Sequence, residues 1–551
     1  MAEKRQNFMV GAAILTASTL IVKILGLLFS VPLANFISQA GMSYFYTAYD
    51  IFAIFLMLST AGLPIAVSRM VGTAYSQGRQ KEADRVFSVA FWLFFGLGLM
   101  GCLIMFFFSA PIARIMGNPG AAHAIMALAP TLFFISIMSA LRGYFQGRGN
   151  MVPTALSQTV EAVTKVIIGV GLAAYIITKY ESDAWAAVGA IIGVSVSAAL
   201  GTIYLAGYKL RQSRRDKAER QRADAQLTRA QRAHKRAEER ALSASRKEML
   251  IALIKFAVPI TLGSCFLSLL DNVDAAILMH RLQTAAGLSL PQAEDLRGVL
   301  GHARKFFDLP GAFVIPISTS LLPALSGAVA SGDVKNSQRI LSMSIRVTLL
   351  IAVPATFGMC LFAGPICDLL LFNVPATAAA TAPLLAMLSV AIAFNSTLYT
   401  TNAILQAFGH PVIPVRNMAI GGIVKIILSY LLIGIPQINA MGSCISTVVS
   451  YLLIMILNFI AVKNATPGIG EAAGAPVPIV ISAAVMGAAS FGVYQLLKLG
   501  MSGRLAVLPA ILLAVLVYAV CAVKLRAVTY NLVLMLPKGE LIARVLRLKE
   551  A

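Results

Sequence analysis

The sequence predicts an all-α polytopic membrane protein, and three observations lead to that fold class. Hydrophobic residues make up 58% of the 551 positions and charged residues 12%, whereas soluble domains carry about 25% charged residues. Apolar runs of about 20 residues, long enough to cross a bilayer as a helix, recur along the whole chain. These runs are far longer than the strands of a membrane barrel. The chain therefore has the composition of a multi-pass helical protein.

About fourteen apolar helical segments, numbered here in chain order, follow one another. They cover residues 8–36, 42–72, 85–110, 121–144, 155–179, 185–208, 249–281, 298–327, 338–364, 377–407, 412–434, 438–462, 475–498 and 503–525. The domains that this division predicts are an N-lobe (1–208), a basic linker (209–248), a C-lobe (249–462), helices 13–14 (463–527) and a C-terminal amphipathic segment (528–551).

The basic residues are distributed unevenly between the loops, and this predicts the orientation. With the N-terminus inside, 31 Lys and Arg fall in cytoplasmic segments and 6 in outer loops. Membrane proteins concentrate Lys and Arg on the cytoplasmic side, so both termini are expected to be cytoplasmic. The net charge of +22 is then a consequence of topology, and no nucleic-acid partner is expected.

The linker, residues 209–248, is the one strongly charged run, with 14 basic and 6 acidic side chains. Mixed charge signs, many alanines and no proline favour a solvated helical extension between the two lobes. Binding of this segment to anionic lipid headgroups is the alternative.

The two halves carry matching motifs. The pattern G-x-x-K-x-x-x-R begins at Gly78 after helix 2 and again at Gly332 after helix 8, 254 residues later. Around helices 4 and 5, Gln, Gly, Val and Lys at 146, 149, 152 and 165 recur at 406, 409, 412 and 425, an offset of 260. Helix n thus matches helix n+6, which predicts two parallel six-helix repeats, with helices 13 and 14 outside them.

When the basic residues counted with the loops, some of them in terminal turns of these segments, are set aside, thirteen charged side chains remain inside the predicted helices. There a charge costs at least about 2.5 kcal/mol unless it faces protein or water. The basic ones are Lys23, Arg69, Lys165, Lys255, Arg304, Lys305, Arg346 and Lys425, and the acidic ones are Asp50, Glu161, Asp271, Asp274 and Asp308. Arg69, Lys255 and Arg346 lie near cytoplasmic helix ends and can extend to the membrane surface.

Local spacing accounts for some of these charges. Glu161 and Lys165 are an i,i+4 pair in the favourable order, and Asp308 lies within reach of both Arg304 and Lys305.

Two lysines have no acid one helical turn away, namely Lys23 and Lys425. Each is expected to point into a polar interior, where its anion is either a distant carboxylate or a substrate phosphate. The carboxylates are Asp50, Asp271 and Asp274, of which the last two share one helix face and could also bind a cation.

No enzyme motif stands out. The chain has no Walker A pattern, no H-E-x-x-H and no metal-ligand spacing among its six cysteines. No soluble segment is long enough for a nucleotide-hydrolysing domain. The remaining function is transport driven by an ion gradient or the membrane potential, or facilitated flipping of a lipid, without a bound cofactor.

Two motifs carry a family resemblance. Ser18-x-x-x-x-Lys23-Ile-Leu-Gly lies in helix 1, and A-R-K-F-F-D-L-P (303–310), followed by L-L-P-A-L-S (321–326), lies in helix 8. With its duplicated bundle and two extra helices, the chain resembles MurJ-type lipid II flippases. It is similar to their SpoVB/polysaccharide-biosynthesis branch within the multidrug/oligosaccharidyl-lipid/polysaccharide exporter superfamily.

This resemblance implies a V-shaped pair of lobes around a cationic cavity, with a groove for a polyprenyl tail at helices 13–14. It implies flipping of lipid II, the undecaprenyl-diphosphate-linked peptidoglycan precursor, from the inner to the outer leaflet of the bacterial cytoplasmic membrane. Coupling would be to Na⁺, H⁺ or the membrane potential, and the partners would be the lipid-linked oligosaccharide, membrane lipids and the cell-wall synthesis machinery.

The family's cavity arginines map onto Lys23 and Lys305, and a further helix-1 arginine falls at Phe29. Arg304, Lys165 and Lys425 complete the candidate substrate-binding set. Asp50, Asp271, Asp274, Asp308 and Glu161 are the candidates for ion pairing or cation coupling. The alternatives are a flippase for another lipid-linked oligosaccharide, a cation-coupled drug antiporter of the same superfamily, and a scaffold without transport.

Overall fold

The structure is a computed structural model that describes residues 8–60, 62–225, 228, 245–466 and 477–529. Within these residues all regular secondary structure is helical, as the composition predicts. The predicted C-terminal amphipathic segment and most of residues 226–244 lie outside the described residues.

The contacts between residues divide the chain into two units, Met1–Ala276 and Ile277–Ala551. The helices of the first unit are α1 (Phe8–Phe36), α2 (Gln39–Thr60), α3 (Leu63–Ser76), α4 (Gln80–Phe107), α5 (Ser109–Ile115), α6 (Ala122–Gly147), α7 (Val152–Thr164), α8 (Gly171–Tyr180) and α9 (Asp183–Ala225). A 3₁₀ turn, Pro119–Ala121, precedes α6, and a π-turn, Lys165–Val170, connects α7 to α8. Helix α10 (Arg246–Thr284) begins in the first unit and ends in the second.

The second unit consists of the end of α10 and ten further helices. These are α11 (Leu290–Phe307), α12 (Gly311–Ala330), α13 (Val334–Leu361), α14 (Ala363–Leu370), α15 (Pro375–Ser389), α16 (Ala391–Ala407), α17 (Val412–Ile433), α18 (Met441–Ala465), α19 (Val477–Leu497) and α20 (Gly503–Lys524).

Helices occupy all fourteen predicted segments, but fewer of them qualify as membrane spans. Among the described residues, eleven stretches are long and apolar enough to cross a membrane, and α15 with α16, bent by 44°, would be a twelfth. The structure therefore supports eleven to twelve candidate spans, not the fourteen predicted.

Predicted helix 8 (298–327) is wrong as a single element. The structure has two helices there, α11 and α12, separated by Asp308, Leu309 and Pro310. Pro310 has no N–H and disfavours helical geometry in the residue before it, which explains the break. α11 also carries several charged side chains, which makes it too polar to qualify as a span.

The turns that carry the repeated motifs have the same backbone geometry in both halves. Gly78 and Gly332 have φ of +73° and +72°, and Gly149 and Gly409 have φ of +76° and +82°. In all four turns the glycine N–H bonds the carbonyl three residues earlier, and the next N–H bonds the carbonyl five residues before it. These are helix ends closed by a left-handed residue, which glycine adopts without strain.

Helix α20 is held against α13 by two side chains. Pro354 within α13 has no N–H to offer the carbonyl of Leu350, and Tyr518 of α20 donates its hydroxyl to that carbonyl at 2.9 Å. Arg346 of α13 donates to the carbonyls of Ala527 (2.8 Å) and Arg526 (2.5 Å) just beyond the end of α20. Arg346 thus satisfies carbonyls at a helix C-terminus instead of simply extending to the membrane surface.

The left-handed turns can be tested by substitution of one glycine. Gly409→Ala meets no atom within 4 Å, so its effect isolates the backbone conformation. We expect a loss of about 1–2 kcal/mol of stability, measured as a lower unfolding midpoint of the purified protein in detergent. The control is Gly207→Ala, a helical glycine in α9 that is equally open, where alanine should stabilise slightly. Equal midpoints for the two variants would contradict the left-handed turn at Gly409.

Candidate functional site

Lys165 lies inside the first unit at the start of the π-turn. Its ammonium is 4.4 Å from the ring centroid of Phe29 on α1 and 5.5 Å from that of Tyr49 on α2. Aromatic faces attract a cation at these distances, most strongly when water is excluded. The two aromatic rings therefore provide much of the stabilisation of the Lys165 ammonium.

Glu161 makes no direct ion pair with Lys165, although its charge still acts on the lysine ammonium. Its carboxylate binds Arg142 of α6 at 3.0 Å, and the Nε of Arg142 donates to Ser157 at 3.1 Å. A π-turn begins at Lys165 and widens the helix there. Arg142 lies within α6.

The helix-1 motif divides between an inward serine and an exposed lysine. Ser18 is buried and donates to the backbone carbonyl of Ala155 at 3.0 Å, with Gln158 at 3.4 Å, which fixes α1 against α7. Lys23, five residues later, is exposed and makes no ion pair with any residue that the structure describes. Lys23 is thus a cation available to a ligand.

The helix-8 motif lies on α11. Arg304 donates to Ser443 of α18 at 2.8 Å, while Lys305 and Asp308 are exposed. α11 also buries three ionisable side chains that the sequence did not single out, Glu294, Arg297 and His302. The signal that could have identified these residues from the sequence is their position along one helix of low mean hydropathy.

Lys425 is buried on α17, with 6% of its surface exposed. An acid at Gly421, one turn earlier, is excluded because a Cβ there would lie 2.2 Å from Ile454, and Ser450 already donates to the Gly421 carbonyl at 2.8 Å. The small residue at 421 therefore follows from the close packing of α17 on α18.

Four of the five candidate acids, Asp50, Glu161, Asp271 and Asp274, belong to the first unit, and Asp308 belongs to the second. Asp274 is fully buried on α10, and Asp50 of α2 accepts a hydrogen bond at its backbone carbonyl from Asn272 at 2.8 Å. The Asp271 side chain is outside the described residues. Among the described residues no group of His, Cys, Asp and Glu has the arrangement of a metal site.

An apolar cavity of about 390 Å³ lies between α13, α19 and α20 in the second unit. Its lining is almost wholly hydrocarbon, including Pro354, Gly358, Met486, Val515 and the ring of Tyr518. A cavity of this size and lining fits part of an acyl or prenyl chain better than it fits a polar solute.

Residues 8–329, more than half of the chain, match the family described as "Polysaccharide biosynthesis protein". The chain belongs to this family. Among curated relatives, this chain is 27% identical over 489 residues to the "Uncharacterized membrane protein YabM" of Bacillus subtilis (strain 168). The match covers 88% of this chain and 85% of that protein.

Two further relatives from the same organism have functional names. This chain is 24% identical to "Lipid II flippase MurJ" over 82% of both chains. It is 25% identical to "Stage V sporulation protein B" over 84% of this chain and 85% of that protein. These matches confirm the resemblance that the helix-1 and helix-8 motifs carry.

The solved structures show the fold. "Lipid II flippase MurJ, inward closed conformation" aligns with a TM-score of 0.68 at 17% identity, over 93% of this chain and 99% of that one. A multidrug resistance MATE family transporter of the MOP superfamily, in its inward-facing conformation, aligns with a TM-score of 0.66 at 15% identity, over 84% and 99%. The fold is that of MOP superfamily transporters.

The ion pairing in the first unit can be tested by double-mutant cycles. The Arg142→Gln and Glu161→Gln substitutions should show a coupling free energy of about 0.5–3 kcal/mol, because each removes the partner of the other. The matched cycle of Glu161→Gln with Lys165→Gln should give a smaller coupling. Unfolding free energies of the purified variants provide the measurement, and a larger coupling in the second cycle would restore the local pair.

Proposed function

We propose that this chain is a flippase that moves lipid II, an undecaprenyl-diphosphate-linked glycan, from the inner to the outer leaflet by alternating access. Membership of the family and the fold shared with a lipid II flippase support this proposal. The observation that carries it is the exposure of Lys23 and Lys305, the two positions that correspond to the family's cavity arginines.

The chemistry of these two lysines suits a diphosphate. An exposed ammonium can form charge-assisted hydrogen bonds to phosphate oxygens. We assign Lys23 and Lys305 to direct phosphate contact, with Arg304, Lys165 and Lys425 as supporting positive charges.

The lipid tail requires a separate apolar site. We assign it to the cavity between α13, α19 and α20, since α19 and α20 are the predicted helices 13 and 14. The bonds of Tyr518 and Arg346 hold α20 beside α13, which keeps the cavity walls together.

The proposal includes two parallel six-helix repeats with both termini cytoplasmic. The equivalent left-handed turns at Gly78 and Gly332, and at Gly149 and Gly409, support the duplication. Alternating access then follows from movement of one repeat against the other around the bound diphosphate, driven by an ion gradient or the membrane potential.

Replacement of the two lysines tests the proposed headgroup site. In a strain depleted of its lipid II flippase, we expect Lys23→Gln or Lys305→Gln to abolish complementation while membrane abundance stays near normal. Lys23→Arg and Lys305→Arg should retain part of the activity, because arginine keeps the charge and binds phosphate through two N–H groups. The readout is growth together with the accessibility of lipid II at the outer face.

The outcomes separate the alternatives. Normal complementation by both glutamine variants would refute phosphate binding by these lysines. Failure of the wild-type chain to complement, with rescue of a strain lacking a different lipid-linked glycan flippase, would assign another cargo. Export of cationic drugs that is lost in Asp274→Asn would instead support an antiporter, whose fold this chain also shares.

Filling the apolar cavity tests the tail site. Gly358 lines the cavity, and a Cβ added there meets no atom within 4 Å. We expect Gly358→Leu to lower flipping several-fold at unchanged abundance, because its side chain occupies space assigned to the tail. The control is Gly492→Leu, an equally open and exposed position on α19 outside the cavity lining. Full activity of Gly358→Leu would exclude the cavity as the tail site.

A further inference from the structure

Helix α9 is much longer than the membrane is thick. It has 43 residues, which at about 1.5 Å per residue is roughly twice the ~30 Å of a hydrocarbon core. Its sequence is apolar up to Tyr208 and rich in charge from Lys209 onward. The helix therefore leaves the hydrocarbon core near Lys209, and its first charged turns lie at headgroup depth.

One face of this extension is bonded to the rest of the first unit. Arg148 donates two hydrogen bonds to Asp216, at 2.6 and 3.3 Å, and both side chains are largely buried. Lys209 donates to Asp84 of α4 at 2.9 Å and lies 3.6 Å from the ring centroid of Tyr144. These bonds fix the orientation of the extension and neutralise the acids on its inner face.

The other face of the extension is basic and exposed. Its members are Arg211, Arg214, Arg215, Lys217 and Arg222. Within the described residues none of these five side chains has an ion-pair partner, and Glu219 is the exposed acid among them. We name the five residues the basic face of α9. Because Asp216 and Asp84 are already bonded, little negative charge remains to neutralise it.

The start of α10 adds positive charge at the same end of the first unit. Ser245 and Glu248 cap α10 through reciprocal bonds of 2.9 and 3.2 Å, which leaves Arg246 and Lys247 exposed. Met249 of α10 belongs to the same buried cluster as Leu205 of α9, so both helices leave the membrane on one side of this unit.

We propose that the basic face of α9 is a binding site for anionic phospholipid headgroups. A row of arginines held at headgroup depth on a helix that cannot rotate is complementary to a surface of lipid phosphates. This assignment differs from a solvated linker, because the Arg148–Asp216 bond fixes which side chains face the lipid. It is independent of what the protein transports and of the direction of transport.

Spin-labelled lipids test this site. The full chain is reconstituted in phosphatidylcholine vesicles, and the boundary association of spin-labelled phosphatidylglycerol is compared with that of spin-labelled phosphatidylcholine. We expect phosphatidylglycerol to be enriched several-fold for the wild type. The enrichment should fall by at least half in Arg211→Gln/Arg214→Gln/Arg215→Gln, and it should decrease when salt is raised, since salt screens exposed charges.

A control variant separates this site from general charge. Lys463→Gln/Lys498→Gln/Arg504→Gln removes the same number of exposed positive charges elsewhere and should keep the wild-type enrichment. The triple Arg→Lys variant at 211, 214 and 215 should also keep it. Unchanged phosphatidylcholine association shows that each variant is inserted normally. Equal enrichment in the wild type and the arginine-to-glutamine variant, or equal loss in the control, would overturn the proposal.

Discussion

A charge at membrane depth must be neutralised by another group, and the first unit is organised around this requirement. Arg142 pairs with Glu161 and Lys165 lies on aromatic rings, and Arg148 pairs with Asp216 where α9 leaves the membrane. The first pair joins the consecutive helices α6 and α7, and the other two interactions join segments that are distant in sequence, so the bonds that neutralise charge also fix helix packing. Removal of one partner strands a charge in a medium of low dielectric constant, which is why such pairs hold the arrangement firmly even where they add little net stability.

The sequence predicts the elements well because apolar length and turn chemistry are local properties. Helices occupy all fourteen predicted segments, and the repeated glycines at 78, 149, 332 and 409 all adopt positive φ. Partner choice is not local. Glu161 forms its ion pair with Arg142, 19 residues earlier, and spacing alone does not reveal this choice over the lysine four residues away. The break before α12 could have been predicted from the sequence, because Pro310 lies there.

Proline creates a second set of constraints in the second unit. Pro354 leaves the Leu350 carbonyl without its helical N–H, and in a membrane no water replaces that bond. The hydroxyl of Tyr518 does so, and this ties α20 to α13 at the wall of the apolar cavity. A cavity lined by hydrocarbon thus contains one polar group whose partner is already assigned. A tail in this cavity would meet apolar walls alone, so its binding would depend on shape and area and not on hydrogen bonds.

Exposure, not basicity, distinguishes the cationic side chains that stabilise the fold from those that can bind a ligand. Arg142, Arg148 and Lys209 are each bonded to a carboxylate, and a phosphate would have to displace that carboxylate at the cost of stranding it. Lys23 and the arginines of the α9 basic face form no ion pair with a carboxylate that the structure describes, so a phosphate has no such carboxylate to displace. The same ligand chemistry can therefore serve two purposes in one chain, because the acids of the first unit are distributed so that some cations are neutralised and others remain available.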